Sequence, residues 1–361
     1  MSEFQVNTQD ISQRRVIDVS VPSIEVSSAL RVAVEKFAFT SNNISYAVTG
    51  DRLRYWDFFP PRAAGSDGWG MIPVWGFAKV VESTCPDVAA GERLYGYFPP
   101  ATELILNVAK VRPGVIMEGS EHRRELAAAY NTYRRVQAEP GYDAATDNER
   151  MLYTPLFVTS WCLWDCLKHR AWAGASQIVI VSASSKTGIG FAQALHNDPD
   201  TPTVVGLTST QNIPAVMATG TCDTVTDYSE IHSLDATRET VVVDMSGNAA
   251  VLGCLSEHFG NKLSLCLNVG LTHWLAAGRS PAADRSEFFF APTHIQQRVS
   301  EWGAAEFDQR VGRFVATASA EMRNWIDVKT IAGLSGLQQV YPDVCAGKVA
   351  ANEALVVQLR G

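Results

Sequence analysis

Residues 177–195, QIVIVSASSKTGIGFAQAL, constrain the fold more than any other stretch. Ile178-Val179-Ile180-Val181 is an uninterrupted β-branched run, which suits a strand buried on both faces in the middle of a parallel sheet. Small residues follow from Ser182 to Gly190, and Phe191-Ala192-Gln193-Ala194-Leu195 reads as helix. A strand, a small-residue turn and a helix together make a diphosphate site. The turn lets backbone approach phosphate, and the helix start offers unpaired N–H groups with a partial positive charge. The same pattern also serves as an ordinary βα turn. The glycine spacing is S-x-x-x-G-x-G, with Ser184 in the place of the first glycine, and the turn is about one residue longer than usual.

The flanking chain repeats the unit. Strands are predicted at 178–182, 203–207, 222–226, 241–245 and 264–269, with helical stretches near 188–196, 211–219 and 247–259. Alternation of this kind predicts a doubly wound parallel sheet. Upstream, LRVAVEKFAF (30–39) and WGFAKVVES (75–83) alternate as half-buried strands, and 94–98 is a third. Residues 1–25 read as a loose lead-in. TSNNISYAVTGDRLRYWDFFPP (40–61) reads as a polar, aromatic loop outside the core. EHRRELAAAYNTYRRVQA (121–138) carries helical periodicity, and 156–170 is a helix ending in basic residues. Helix is predicted again over 294–325, then a last strand at 353–359.

Composition narrows the function. A chain of 361 residues has room for about two domains. The net charge of −8, with no basic run, argues against a nucleic-acid surface. No apolar run approaches the roughly 20 residues that span a bilayer, and the N-terminus lacks a signal-peptide core. Seven scattered cysteines without a C-x-x-C read as reduced thiols rather than disulfides or a zinc site. The expectation is a cytoplasmic protein acting on a small molecule, without nucleic-acid or membrane partners.

GERLYGYF (91–98), TSWCLWDCLKHRAWAGASQIVIVSASSKTGIG (159–190), GLTSTQN (206–212) and TVVVDMSGN (240–248) resemble segments of the medium-chain dehydrogenase/reductase superfamily. The closer likeness is to its zinc-free quinone-oxidoreductase and enoyl-reductase branch. More narrowly, TSNNISYAVTGDRLRYWDFFP, SASSKTGIG and VGLTHW resemble a divergent subgroup of unknown function, DUF2855-like. The resemblance implies an α/β protein with a GroES-like β-rich catalytic domain (1–155, with a helical insertion about 117–150). A Rossmann domain (156–285) and a C-terminal return to the catalytic domain (286–361) would follow. It implies a homodimer and a nicotinamide coenzyme, and the residues after the second strand favour NADP(H) over NAD(H). Zinc is not expected, since Gly76-Phe77-Ala78 stands where zinc alcohol dehydrogenases carry G-H-E.

The cofactor would be held by Ser184, Ser185, Lys186, Thr187, Gly188 and Gly190 in the first turn. Further contacts would come from Asp244 and from Gly270 and Thr272 in the loop after the fifth strand. No acid follows the second strand, so Thr208, Ser209 and Thr210 could donate to a 2′-phosphate, or merely cap the next helix. Tyr46 is the first candidate for stabilising or protonating an enolate, with Tyr55, Asn43 and His273 beside it. Trp56 and Phe58 would wall the substrate. Arg123, Asn131, Tyr133 and Arg134 read as a polar wall for an acidic substrate or as a solvated helix face. The resulting expectation is a zinc-independent, NADPH-dependent reductase of an activated C=C or C=O bond in an enone, quinone or enoyl thioester. A lyase or isomerase that binds NADP without net turnover, and a non-enzymatic nucleotide-binding interaction protein, are the alternatives.

Overall fold

The computed structural model describes residues 1–360 apart from 22, 25 and 270–284. The chain forms two compact units. The first comprises residues 1–152, 327–349 and 353–361, and the second comprises 153–326 with 350–352.

The first unit is a closed β structure. It contains β1 (Ser2–Asn7), β2 (Arg14–Asp18), β3 (Ala29–Phe39), β4 (Trp69–Gly70) and β5 (Val74–Ser83). β6 (Arg93–Phe98), β7 (Glu103–Arg112), β8 (Val115–Glu118) and β9 (Thr132–Arg135) follow. β3 pairs with β5, β5 with β6, β6 with β9, β9 with β8 and β8 with β7. β7 then pairs back onto residues 29–33 of β3, which closes the ring. The ring is GroES-like. Closure removes exposed strand edges.

Three expectations fail here. The lead-in is ordered: β1 pairs β2 and β4, and Phe4 and Val6 are fully buried. Its alternation was masked because Glu3 and Gln5, on the other face, are also buried and bonded to each other (2.7 Å). The 40–61 loop holds helix α1 (Ser41–Val48), and Tyr46, Tyr55, Phe58 and Phe59 belong to the core. The 121–138 stretch is not a helix but short 3₁₀ turns around β9, which fills the gap between β6 and β8. Partners across the ring outweigh a local periodicity that is intrinsically weak. Arg123, Asn131 and Tyr133 are therefore interior, not a wall. Arg123 donates to Asn131 Oδ1 (2.9 Å) and Tyr133 Oη (3.2 Å), and lies 3.5 Å from the buried Glu118 carboxylate.

Helix α2 (Asp147–His169) leads into the second unit. β10 (Gln177–Val181), β11 (Thr203–Thr208), β12 (Thr224–Asp227), β13 (Thr240–Asp244), β14 (Leu263–Asn268) and β15 (Ser286–Phe288) form one parallel sheet. Its order is β12-β11-β10-β13-β14-β15. Helices α3 (Lys186–His196), α4 (Ile213–Met217), α5 (Ala249–Phe259), α6 (Ala291–Trp302) and α7 (Ala304–Met322) connect or follow the strands. β10 is buried at every residue, as its β-branched run requires. The expected return to the first unit at 286 comes later, at Asp327. β15 pairs with β14, and Phe289, Phe307 and Val311 join the core on one face of the parallel sheet. β16 (Asp327–Ala332), α8 (Gly333–Cys345) and β17 (Glu353–Gln358) then rejoin the first unit, β17 pairing with β3.

Candidate functional site

In the second unit the strand order reverses between β10 and β13. In open parallel sheets ligands bind in the crevice outside the strand ends at this point. The turn after β10 opens that crevice. Ser182 sits at φ 60°, a left-handed conformation that costs a non-glycine residue about 1 kcal/mol or more. This strained residue, rather than Ser184, therefore makes the tight turn. Tyr228, at the end of β12, reaches Ser182 with its hydroxyl, and burial raises the pKa of that phenol.

Ser185 caps α3, its Oγ accepting from Gly188 N (3.1 Å). A Cβ at Gly188 would lie 2.8 Å from Ser182 O, so the turn closes this tightly only around glycine. Gly190 serves packing: a Cβ there would run into Phe157 and Ser160 of α2. Lys186 Nζ points to Ala351 O at 3.4 Å.

The hydroxyls after β11 face one another. Thr208 Oγ1 donates to Ser184 Oγ (2.9 Å), and Asn212 Nδ2 donates to Ser184 Oγ (3.2 Å) and to Ser209 Oγ (3.0 Å). Thr208 is buried. Thr210 Oγ1 donates to Asp227 Oδ2 (3.2 Å), a carboxylate whose pKa is lowered chiefly by its hydrogen bond from Ser229. Sequence reading saw no acid beside these hydroxyls because Asp227 arrives from the next strand.

Across the switch point, the fully buried Asp244 accepts from Ser246 N (2.8 Å), Ser246 Oγ (2.7 Å) and Gly247 N (3.0 Å). Desolvation raises its pKa despite these bonds. It braces the turn before α5. Gly270, Thr272 and His273 lie outside the described residues.

The donor set suits a dinucleotide: a constricted turn at a helix start, hydroxyl and amide groups at the strand ends, and a braced second turn. Among the described residues no group of three or more His, Cys, Asp or Glu side chains is placed to hold a metal ion.

The first unit gathers aromatics. Tyr46 and Tyr55 rings lie 4.4 Å apart, and Tyr97 stacks on Tyr130 at 4.6 Å. Trp75 lies 5.1 Å from Tyr97 and 6.0 Å from Tyr130. Tyr55 and Tyr130 hydroxyls are 3.3 Å apart. Trp75, Asn42, Tyr130 and Tyr97 all bring polar groups toward the Tyr46 hydroxyl, while desolvation raises its pKa. Desolvation also raises the pKa of Tyr55, Tyr97 and Tyr130.

Tyr46 and Tyr55 are thus brought together, with Phe58 packed on Tyr97 and Tyr130. Asn43 is spent on structure: its Oδ1 accepts from Thr40 N (2.8 Å) and its Nδ2 donates to Pro73 O (2.9 Å). Trp56 is a packing pin rather than a substrate wall. A Cβ on Gly50 or Gly70 would fall 2.0 or 2.5 Å from its indole. Tyr97, Tyr130 and Trp75 were missed; the alternation in LYGYF marks Tyr95 and Tyr97 as sharing a face, but nothing local brings Tyr130 to them.

Residues 37–350 match the family described as "Protein of unknown function (DUF2855)". No curated protein sequence matches the chain. The chain superposes on CurA of Vibrio vulnificus in complex with NADPH at TM-score 0.61 and 10% identity, covering 100% of both chains. It superposes on the yhdH oxidoreductase of Salmonella enterica in complex with NADP at TM-score 0.55 and 13% identity, again covering 100% of both. A mutant enoyl thioester reductase of Candida tropicalis gives TM-score 0.56 at 11% identity, with 99% of both chains covered. These likenesses show a shared fold, a GroES-like β unit followed by a Rossmann-like parallel sheet.

Proposed function

The chain belongs to the DUF2855 family, whose function is unknown, and from that premise we propose that it is an NADPH-dependent oxidoreductase acting on an activated C=C or C=O bond. The observation that carries this is the sheet order β12-β11-β10-β13-β14-β15, with the constricted Ser182–Gly188 turn and the start of α3 at its switch point. NADPH or NADP in the crystals of the Vibrio and Salmonella proteins supports the choice of coenzyme. Bound there, the coenzyme supplies a hydride. Residues of the turn and of β11 would hold its diphosphate and ribose, and Tyr46 would donate to the carbonyl oxygen or protonate the carbon next to it. Neutral phenols suffice, since burial holds all four tyrosines protonated.

The test is a titration that follows quenching of the chain's nine tryptophans. Saturable quenching by NADPH, followed by loss of its absorbance when an enone or quinone is added, is expected. No quenching by either coenzyme sinks the proposal. A second reading is coenzyme binding without turnover. Quenching without oxidation by any acceptor selects it.

Asp227 weakens, without reversing, the preference for NADPH within this proposal. Its charge opposes a 2′-phosphate near Thr210. Asp227→Asn should raise affinity for NADPH relative to NADH about fivefold at low salt, with less effect at high salt. Dissociation constants for both coenzymes check it.

A further inference from the structure

A cavity of about 430 Å³ opens in the second unit, a size that holds small molecules. Its walls come from the last turn of α3 (Gln193, His196), from the chain between α4 and β12 (Thr219, Thr221), from the end of α7 (Glu321) and from Trp325 just beyond. α3 starts at the Ser182–Gly188 turn and runs roughly 16 Å back along the sheet, toward the strand starts. The cavity therefore lies at the opposite end of α3 from the switch-point crevice, and the reductase proposal makes no use of it.

The fixed polar groups of this cavity are acceptors. Glu321 Oε2 accepts from Gln193 Nε2 (2.7 Å), and no cation pairs with this carboxylate among the described residues. A carboxylate only accepts, so the bond sets the Gln193 amide with Nε2 toward Glu321 and leaves Oε1 as an acceptor. Gln193 is only 6% exposed, yet Oε1 has no partner among the described residues. The buried side-chain atoms that are both sealed and unpartnered belong to Trp75, Tyr97 and Ser319, so the Gln193 oxygen opens onto the cavity its side chain lines. Thr219 Oγ1 donates to Val216 O (2.7 Å), so Thr221 is the donor in the 2.9 Å contact between the two hydroxyls. Both hydroxyl hydrogens are spent, and the buried Thr221 has only lone pairs left. The Trp325 N–H is spent on Ala215 O (3.1 Å), which leaves its indole as a π surface. His196 and Asn324 also line the cavity, and their side chains accept as readily as they donate.

We propose that this cavity is a second small-molecule site, one that binds an alkylammonium ion. The ammonium N–H groups donate to Glu321 and to Gln193 Oε1, and the carbon chain lies against Trp325 and Met322. A carboxylate without a counter-ion, a buried amide oxygen without a donor and an indole ring in one cavity match a cation, whereas an anion would face the Glu321 charge. The cation is organic rather than metallic, because among the described residues no three His, Cys, Asp or Glu side chains gather to hold a metal ion.

The test is calorimetric titration of the full chain with 1,4-diaminobutane at about pH 8, above the ordinary imidazole range. Saturable binding of one diamine per chain is expected, weaker as salt is raised. 1,4-Butanediol, of similar length but uncharged, should not bind. Glu321→Gln should weaken diamine binding about ten- to a hundredfold. Its melting temperature should hold, because the side chain is exposed and its amide oxygen can still accept from Gln193. Trp325→Leu keeps an apolar side chain without the π face and should cost about fivefold. Glu306→Gln removes the same charge from the other end of α7 and should bind like the parent. Absence of saturable binding overturns the site, as does a Glu321→Gln variant that binds like the parent. Equal binding of the diol, or equal weakening in Glu306→Gln, also overturns it, since the ammonium group or the Glu321 carboxylate is then not what is recognised. NADPH quenching in the same samples reports on the reductase proposal alone, so the two stand or fall separately.

Discussion

A Tyr46→Phe variant should lose about 10²- to 10⁴-fold in turnover, the range expected when a positioned general acid is removed. Its fold should survive, because phenylalanine keeps the ring that packs on Tyr55 at 4.4 Å and on Tyr97 at 5.9 Å. Coenzyme quenching should be unchanged, because the turn and β11 residues lie in the other unit. The pH profile carries a second signature. Desolvation raises the Tyr46 pKa above the ordinary tyrosine value near 10. The active form is the protonated one, so a raised pKa extends activity upward. The parent should keep its rate through the pH range in which an exposed tyrosine would ionise, and lose it only above that. Steady-state kinetics check both points. A Phe variant with parental turnover would remove Tyr46 from the chemistry.

Replacing Gly190 by valine should destabilise the second unit by about 3 kcal/mol, read as a lower urea midpoint at unchanged slope. A Cβ there would lie 2.4 Å from Phe157 Cδ1 and 2.8 Å from Ser160 Oγ. Neither neighbour can yield. Phe157 and Ser160 are fully buried, and Ser160 Oγ bonds to Leu156 O (3.0 Å) and to Thr187 O (2.8 Å). Helix propensity opposes the loss: a residue with a side chain gains up to about 1 kcal/mol over glycine in a helix interior. The steric cost is larger and decides the sign. Gly190→Ala should fall between the two. Because Ser160 ties α2 to the first turn of α3, displacement of α3 also shifts the Ser182–Gly188 turn, so coenzyme affinity should drop together with stability. A valine variant as stable as the parent would mean that α2 and α3 do not pack this closely.

The parallel sheet was legible because its signal is local and strong. Ile178–Val181 reads as a doubly buried strand, and Val241–Val243 and Leu263–Leu267 carry comparable runs, whereas the short edge strand β15 carries none. The resemblance over 159–190 added the architecture of both units. The misread segments share a physical cause. Glu3 and Gln5 hide a strand because their polar groups satisfy each other inside the protein. Tyr133 and Arg123 look like a helix face because periodicity cannot register a vacant edge between two strands far away in the chain. Loop 40–61 looks solvated because its polar residues are local turn formers, whereas its aromatics find partners only when β5, β6 and the 130 region close around them.

At the candidate site the division is sharper. The amino-acid sequence by itself determined that a strand, a small-residue turn and a helix stand in succession, and that tyrosines cluster near residue 46, because both follow from neighbours along the chain. Tertiary structure alone decided that Ser182 takes the strained conformation, that Asp227 meets Thr210, and that Trp75 and Tyr97 are left with unpaired donors beside Tyr46. These depend on which groups are desolvated together, and desolvation is a property of the packed protein, not of any stretch of chain.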